Sequence, residues 1–141
     1  MNRVHFSSQT CRWATPQWLF NELNEEFGFT LDAAADSENA KCKRYLTAED
    51  DGTFVPWSGV VWCNPPYGNV IGEFLEKAVR EKSNGITSVH LIPARTDTRW
   101  FHAYVLPHAT EIRFIKGRLR FGGAKHNAPF PSMIVIYRSH T

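Results

Sequence analysis

The chain has 141 residues, of which 43% are hydrophobic, 13% aromatic and 21% charged, with a formal net charge of +2. That balance is typical of a globular protein with a real core and excludes a disordered tail, a coiled coil and a collagen-like repeat. No apolar run approaches the roughly 18 residues of a membrane span, and the N-terminus lacks the charged-then-apolar pattern of a signal peptide, so one cytoplasmic domain over 1–141 is expected.

Residues 1–14 are polar and aperiodic, and are expected to pack as an arm. Thr15-Pro16 predicts a helix start, with the hydroxyl as cap and proline at the first helical position. Leu19, Leu23 and Phe27 follow at four-residue spacing and Gly28 supplies the stop. Phe29–Ala34 predicts a short strand running into a small-residue turn. Residues 36–58 are polar, with room for a helical turn and one short strand near Arg44–Thr47. Gly59–Cys63 is the continuous apolar run of a strand buried on both faces.

After the loop Asn64–Gly68, the residues Ile71, Phe74, Leu75, Ala78 and Val79 mark one face of a helix ending at Asn84-Gly85. Glu73–Lys77 and Glu76–Arg80 are expected as i,i+4 pairs on it. Thr87–Ile92 predicts a second buried strand, and Thr98–Val105 a short helix capped by Thr96 or Asp97 and stopped by Pro107. Glu111–Phe121 alternates apolar and charged residues, as in a half-exposed ribbon. Ser132–Tyr137 is the last strand. Helices alternating with apolar strands argue for an α/β fold with a mostly parallel central sheet, whose ligands bind beyond the carboxyl ends of the strands.

Charge is unevenly spread. Residues 1–70 carry five Lys/Arg against nine Asp/Glu, and residues 71–141 carry eleven against five. Arg113, Lys116, Arg118, Arg120 and Lys125 fall within thirteen positions with no acid among them, which suggests a face for a polyanion. The three cysteines and six histidines show no metal-ligand spacing, so no metal site is expected.

The sharpest feature is Asn64-Pro65-Pro66-Tyr67, directly after a buried strand and before a helix. Neither proline has a backbone N–H, so the Pro65 carbonyl and the Asn64 side-chain oxygen form a pair of acceptors, and Tyr67 adds a flat face. Two converging acceptors and a ring suit a planar amine such as the exocyclic N6 of adenine. A base in duplex DNA would have to leave the stack to reach them. A rigid strand-to-helix turn is the structural alternative.

Over roughly residues 6–137 the chain resembles the Dam-like DNA adenine N6-methyltransferases of phages and prophages. The resemblance lies in Thr15-Pro16-Gln17-Trp18-Leu19-Phe20, Phe29–Tyr45, Glu49–Gly52, Val61–Gly68, Leu91–Phe101, Arg118–Gly123 and Ala128–Ser132. It implies a reduced Rossmann-like class I methyltransferase fold, S-adenosylmethionine as donor and DNA adenine as acceptor. Asn64, Pro65, Pro66 and Tyr67 match the catalytic motif, with Asn64 also beside the donor. Asp32, Ala33 and Ala34 match the cofactor loop, and Thr15 and Pro16 the segment holding the donor's methionine end. That loop is usually glycine-rich, whereas here it reads Asp-Ala-Ala-Ala-Asp-Ser.

Only 29 positions separate Ala35 from Asn64, so one strand–helix unit is expected to be lost or reduced. Glu49, Asp50 or Asp51 is expected to provide the carboxylate for a ribose hydroxyl, with an exposed acidic turn as the alternative. Arg95 and Arg99 are candidates for phosphate or for Asp97, and Trp100 for a wall of the base pocket or for the core. Arg118 and Arg120, with Lys125, His126 and Asn127 on a Gly-Gly loop, are candidates for DNA contact. Competing functions are a methyltransferase of the same motif acting on RNA or a protein glutamine, and a DNA-binding module without catalysis. Monomer and homodimer are both left open.

Overall fold

Five strands form one sheet in the computed structural model, which describes residues 13–139. They are β1 (Leu31–Asp32), β2 (Val60–Cys63), β3 (Thr87–Pro93), β4 (Glu111–Phe114) and β5 (Ser132–Tyr137), in the order β1-β2-β3-β5-β4. Of the expected N-terminal arm, residues 1–12 lie outside the described residues.

The sheet keeps the expected common direction in four of its five strands and departs from it in β5. β1, β2 and β3 are parallel neighbours, but β5 runs against both β3 and β4. The longest ladder, from Ser88↔Tyr137 to Pro93↔Ser132, is therefore antiparallel. A fully buried apolar strand satisfies its ladder in either direction, so the Ser132–Tyr137 composition carried no sign of this reversal.

Both faces of the sheet are covered, and the side chains divide with the period of two that a strand imposes. Val61, Cys63, Ile92, Met133 and Val135 join the cluster under helix α2 (Val70–Ser83) and the short helical segment α3 (Phe101–Val105). Trp62, Val89, Leu91, Ile134 and Ile136 join the opposite cluster, under helix α1 (Gln17–Phe27) and the segment carrying Leu119, Phe121 and Phe130.

The α1 register follows the sequence: Leu19, Phe20 and Leu23 are buried, and Gly28 ends the helix at φ 67° with its N–H on Asn24 O. Its start differs. Thr15 does not cap it, because its hydroxyl is turned to Asn64, and the Pro16 carbonyl takes the Leu19 and Phe20 N–H groups. In α2 the predicted face is buried, but Lys77 turns away from Glu73 to pair with Glu81 at 3.0 Å. Glu81 also accepts the Trp57 N–H at 2.8 Å. That pairing follows from burial, since a lysine inside the packing needs a carboxylate inside it.

Three further expectations change. The strand near Arg44–Thr47 is a single bridge, Tyr45 to Asp32, with backbone bonds from Asp32 N to Arg44 O and Leu46 N to Asp32 O. The ribbon ends at Phe114. Beyond it, Leu119 and Phe121 are buried while Arg118 and Arg120 face solvent, so the alternation persists without a strand. α3 is a wide, π-type turn, and Thr98 supplies the hydroxyl for the Phe101 N–H in place of Thr96 or Asp97. The reduced unit is as expected: among the described residues no helix or named strand lies between β1 and β2.

Candidate active site

The parallel strands β1 and β2 end side by side, with Asp32 paired to Trp62 one residue before Cys63 and two before Asn64. The chain entering α1 crosses the same end. Its Trp13 carbonyl accepts the Asn64 Nδ2 at 2.7 Å, and the Thr15 hydroxyl accepts it at 3.1 Å. A carbonyl only accepts, so this pair fixes which way the amide points. Both Asn64 donors are thereby used. Its Oδ1 is left buried, with no partner among the described residues.

Tyr67 lies in an aromatic cluster. The Trp13 ring is nearly parallel to it, 6.3 Å between centroids at 16°, and Phe121 and Phe130 meet it edge-on. Its hydroxyl is buried with no partner among the described residues, and burial pushes its ionisation well above the usual phenol range. Pro65 and Pro66 are buried between these groups and the core.

Beside Asn64, Asp32 is almost wholly buried. Its two oxygens accept the N–H groups of Ala34 at 3.2 Å and Lys41 at 3.0 Å. Desolvation nonetheless raises its pKa to about 7, against the opposing pull of those two bonds. The loop it organises needs no glycine. Asp51 is the one described non-glycine residue with positive φ, so every residue of 33–41 sits in ordinary L-residue conformations. Ala33 N–H bonds to Trp62 O and Ala35 N–H to Leu46 O. Gly52 is pressed against this loop, and a Cβ there would lie 2.1 Å from the Ala33 carbonyl oxygen.

Thr15, Asp32, Ala34, Asn39, Lys41, Trp62 and Asn64 thus share one small polar cleft. Pro16 stands next to it at the start of α1, and Ala33 is buried beneath it. Asp50 is occupied locally, accepting the Thr47 N–H at 2.8 Å and the Thr47 hydroxyl at 3.0 Å.

The basic candidates separate into groups. Lys125, His126 and Asn127 join Trp13, Gly123 and Ala124 around a groove of about 310 Å³, which adjoins Asn64 and Tyr67 through Trp13. Arg120 braces that loop, its Nε donating to the Ala124 carbonyl at 3.2 Å. Arg99 and Trp100 line a second groove of about 430 Å³ with Gly68, Glu73 and Glu76. Arg95 and Arg118 are exposed and border neither groove.

Arg113 leaves the basic ribbon altogether. Its guanidinium forms a two-pronged bond to Glu26, both at 2.8 Å, and a third to Glu111 at 2.6 Å, while Arg138 reaches Glu26 at 2.9 Å. This network shows why a run of cations without intervening acids misleads: one of its acids, Glu111, lies just before the run, and the other, Glu26, comes from α1.

Trp13 and Asn39 belong to the site and escaped the sequence reading. The signal for Trp13 was an aromatic two positions before Thr15-Pro16. For Asn39 it was an Asp-x-x-Asn spacing after the loop.

A family model for DNA N-6-adenine-methyltransferase (Dam) matches residues 5–141, and the chain belongs to that family. Among its relatives, the DNA N-6-adenine-methyltransferase of Haemophilus phage HP1 (strain HP1c1) is 34% identical over 134 residues, covering 89% of this chain and 77% of that protein. The DNA N-6-adenine-methyltransferase of Escherichia phage T1 is 32% identical over 111 residues, covering 76% of this chain but only 45% of that protein.

Proposed function

We propose that the chain is one methyltransferase domain that methylates the exocyclic N6 of adenine in DNA, with S-adenosylmethionine as the donor. The observation that carries this is the buried, unpartnered Asn64 Oδ1, with its amide orientation fixed by Trp13 and Thr15. The parallel β1–β2–β3 half of the sheet, with its polar cleft at the strand ends, supports a reduced Rossmann-like class I fold. The residues present fit the donor: the cleft holds a buried carboxylate, Asp32, suited to an ammonium. Asp32, Ala33, Ala34, Thr15, Pro16 and Asn64 would hold it. Asp50 would have to leave its bonds to Thr47 to reach a ribose.

When bound, S-adenosylmethionine supplies an electrophilic methyl group. Asn64 Oδ1 accepts one N–H of the target amine and the Pro65 carbonyl the other. Held this way, the nitrogen lone pair turns out of conjugation with the ring and is aimed, which is catalysis by positioning. Asn64 accepts a hydrogen bond but is no base, so the amine's proton leaves to solvent. Tyr67 offers its face to the base, and Pro65 and Pro66 leave no competing backbone donor in the slot. Lys125, His126 and Asn127 border the groove next to that slot and would take the flanking DNA, with Arg118, Arg120, Arg95 and Arg99 on phosphates. No helix among the described residues is long and apolar enough to cross a membrane, and action in the cytoplasm on phage or host DNA fits the phage relatives.

The test is mass spectrometry of nucleosides from unmethylated DNA incubated with protein and S-adenosylmethionine, beside an Asn64→Ala variant. N6-methyldeoxyadenosine from the wild type alone is the expected result. Methylation of RNA or of a glutamine peptide, with none in DNA, overturns the substrate. DNA binding without any methyl transfer leaves a binding module.

A further inference from the structure

We propose that Asn39 holds the carboxylate of the donor's amino-acid end, through its Nδ2 in the cleft shared with Asp32, Lys41 and Asn64. This rests on the reading of the chain as an S-adenosylmethionine-dependent enzyme, and it adds a residue to the donor site on geometric grounds.

The Asn39 amide cannot choose its orientation. Its Oδ1 accepts the Asp36 backbone N–H at 2.8 Å, while the Asn39 backbone N–H is donated to Asp36 Oδ1 at 3.0 Å. That reciprocal pair commits the oxygen to the turn. The Nδ2 is left buried, with no partner among the described residues. A buried donor without an acceptor is costly to keep, and this one belongs to a residue lining the cleft. Asn39 and Asn64 are therefore complementary orphans in one lining: the first lacks an acceptor, the second a donor.

Charge identifies the occupant. The cleft carries one anionic residue, the buried Asp32, and one cationic residue, Lys41, whose Nζ stands 2.8 Å from Gln17 Oε1 at the start of α1. A phosphate would meet the Asp32 carboxylate, and a lone cation would leave the Asn39 donor unsatisfied. A zwitterion satisfies both, with its ammonium at Asp32 and its carboxylate at Asn39 on the Lys41 side. Burial raises the Asp32 pKa to about 7, and an ammonium beside it would restore the ionised form.

Calorimetry with two ligands tests this without turnover. S-adenosylhomocysteine carries the amino-acid end, and 5′-methylthioadenosine shares the nucleoside but lacks that end. In Asn39→Asp an oxygen still accepts the Asp36 N–H, while the donor becomes a second carboxylate. Expected is a loss of roughly tenfold or more in S-adenosylhomocysteine affinity, with 5′-methylthioadenosine affinity unchanged. Asn39→Ala should show the same selectivity with a smaller loss. Wild-type affinity for S-adenosylhomocysteine in Asn39→Asp, or equal losses for both ligands, overturns the assignment to the carboxylate. A wild-type protein that binds neither ligand overturns the donor reading itself.

Discussion

The Thr15 hydroxyl accepts a hydrogen bond from Asn64 Nδ2 at 3.1 Å, joining the approach to α1 to the end of β2 across 49 residues of sequence. With the Trp13 carbonyl it leaves Asn64 one free atom, the oxygen that the proposed reaction needs. Thr15 is thus a positioning residue for Asn64 as well as a neighbour of the donor cleft.

Thr15→Val removes that acceptor but keeps the shape. Loss of a buried hydrogen bond of this kind costs about 1–3 kcal/mol. Steady-state kinetics should show kcat reduced by roughly tenfold or more, with a smaller rise in donor KM, and Thr15→Ser should restore both. A rise in donor KM alone would assign Thr15 to donor binding and not to Asn64.

Two carboxylates tilt stability in opposite directions with pH. Asp32 has its pKa raised from 3.8 to about 7 by burial, so the folded state favours its protonated form. Its contribution is full below pH 3.8 and is lost as pH rises through 7. In urea titrations of donor-free protein, Asp32→Asn should flatten the decline between pH 4 and 7. An unchanged slope would mean that Asp32 titrates normally.

Glu26 behaves the other way. The hydrogen bond from Arg113 leads in holding its pKa near 2, down from 4.5. Its contribution is present above pH 4.5 and is lost as pH falls toward 2. Glu26→Gln should therefore lose stability at neutral pH and show a shallower acid limb than the wild type, read by thermal melts between pH 2 and 6. The effect should shrink in high salt, because these side chains are partly exposed.

The same network separates basic residues by role. Lys125→Ala should lower the dependence of DNA affinity on salt by about one unit of slope, as expected for one lost phosphate contact. Arg113→Ala should leave that slope unchanged and lower the melting temperature instead. Fluorescence anisotropy with a labelled duplex across a salt series distinguishes the two outcomes.

Gly52→Ala tests the seam between the 47–53 turn and the loop after β1. Its Cβ would enter the space of the Ala33 carbonyl oxygen and stand 2.9 Å from the Phe74 ring. Backbone cannot yield as a side-chain tip does, so the variant should be destabilised by about 1–3 kcal/mol or more. Chemical denaturation gives the number directly. A melt indistinguishable from wild type would mean that the turn moves freely.

Elements with strong periodicity were legible in the sequence. Ile71, Phe74, Leu75 and Ala78 announce α2, and the Val61–Cys63 run announces β2, because burial alone decides those residue types. Direction was not legible: β5 is apolar at nearly every position, and nothing in Met133–Ile136 tells a parallel from an antiparallel neighbour. At the site, Asn64 and Tyr67 stood out by local motif, whereas Trp13 and Asn39 enter it through contacts with residues distant in sequence or through a turn. Lys77 and Arg113 show what spacing alone leaves open: Lys77 has a carboxylate four residues away on either side and burial selects Glu81, while Arg113 bonds Glu111 on its own strand and also Glu26 on α1.

The reversed strand has a consequence for biosynthesis. Among the described residues β5 is the last strand in sequence yet lies between β3 and β4, and β4 pairs with no other strand. A nascent chain still on the ribosome can bring β1, β2 and β3 together, but β4 has nowhere to dock until residues 132–137 have emerged. Completion of the sheet therefore waits for β5. A premature stop that removes that strand deletes the middle of the sheet and not its margin.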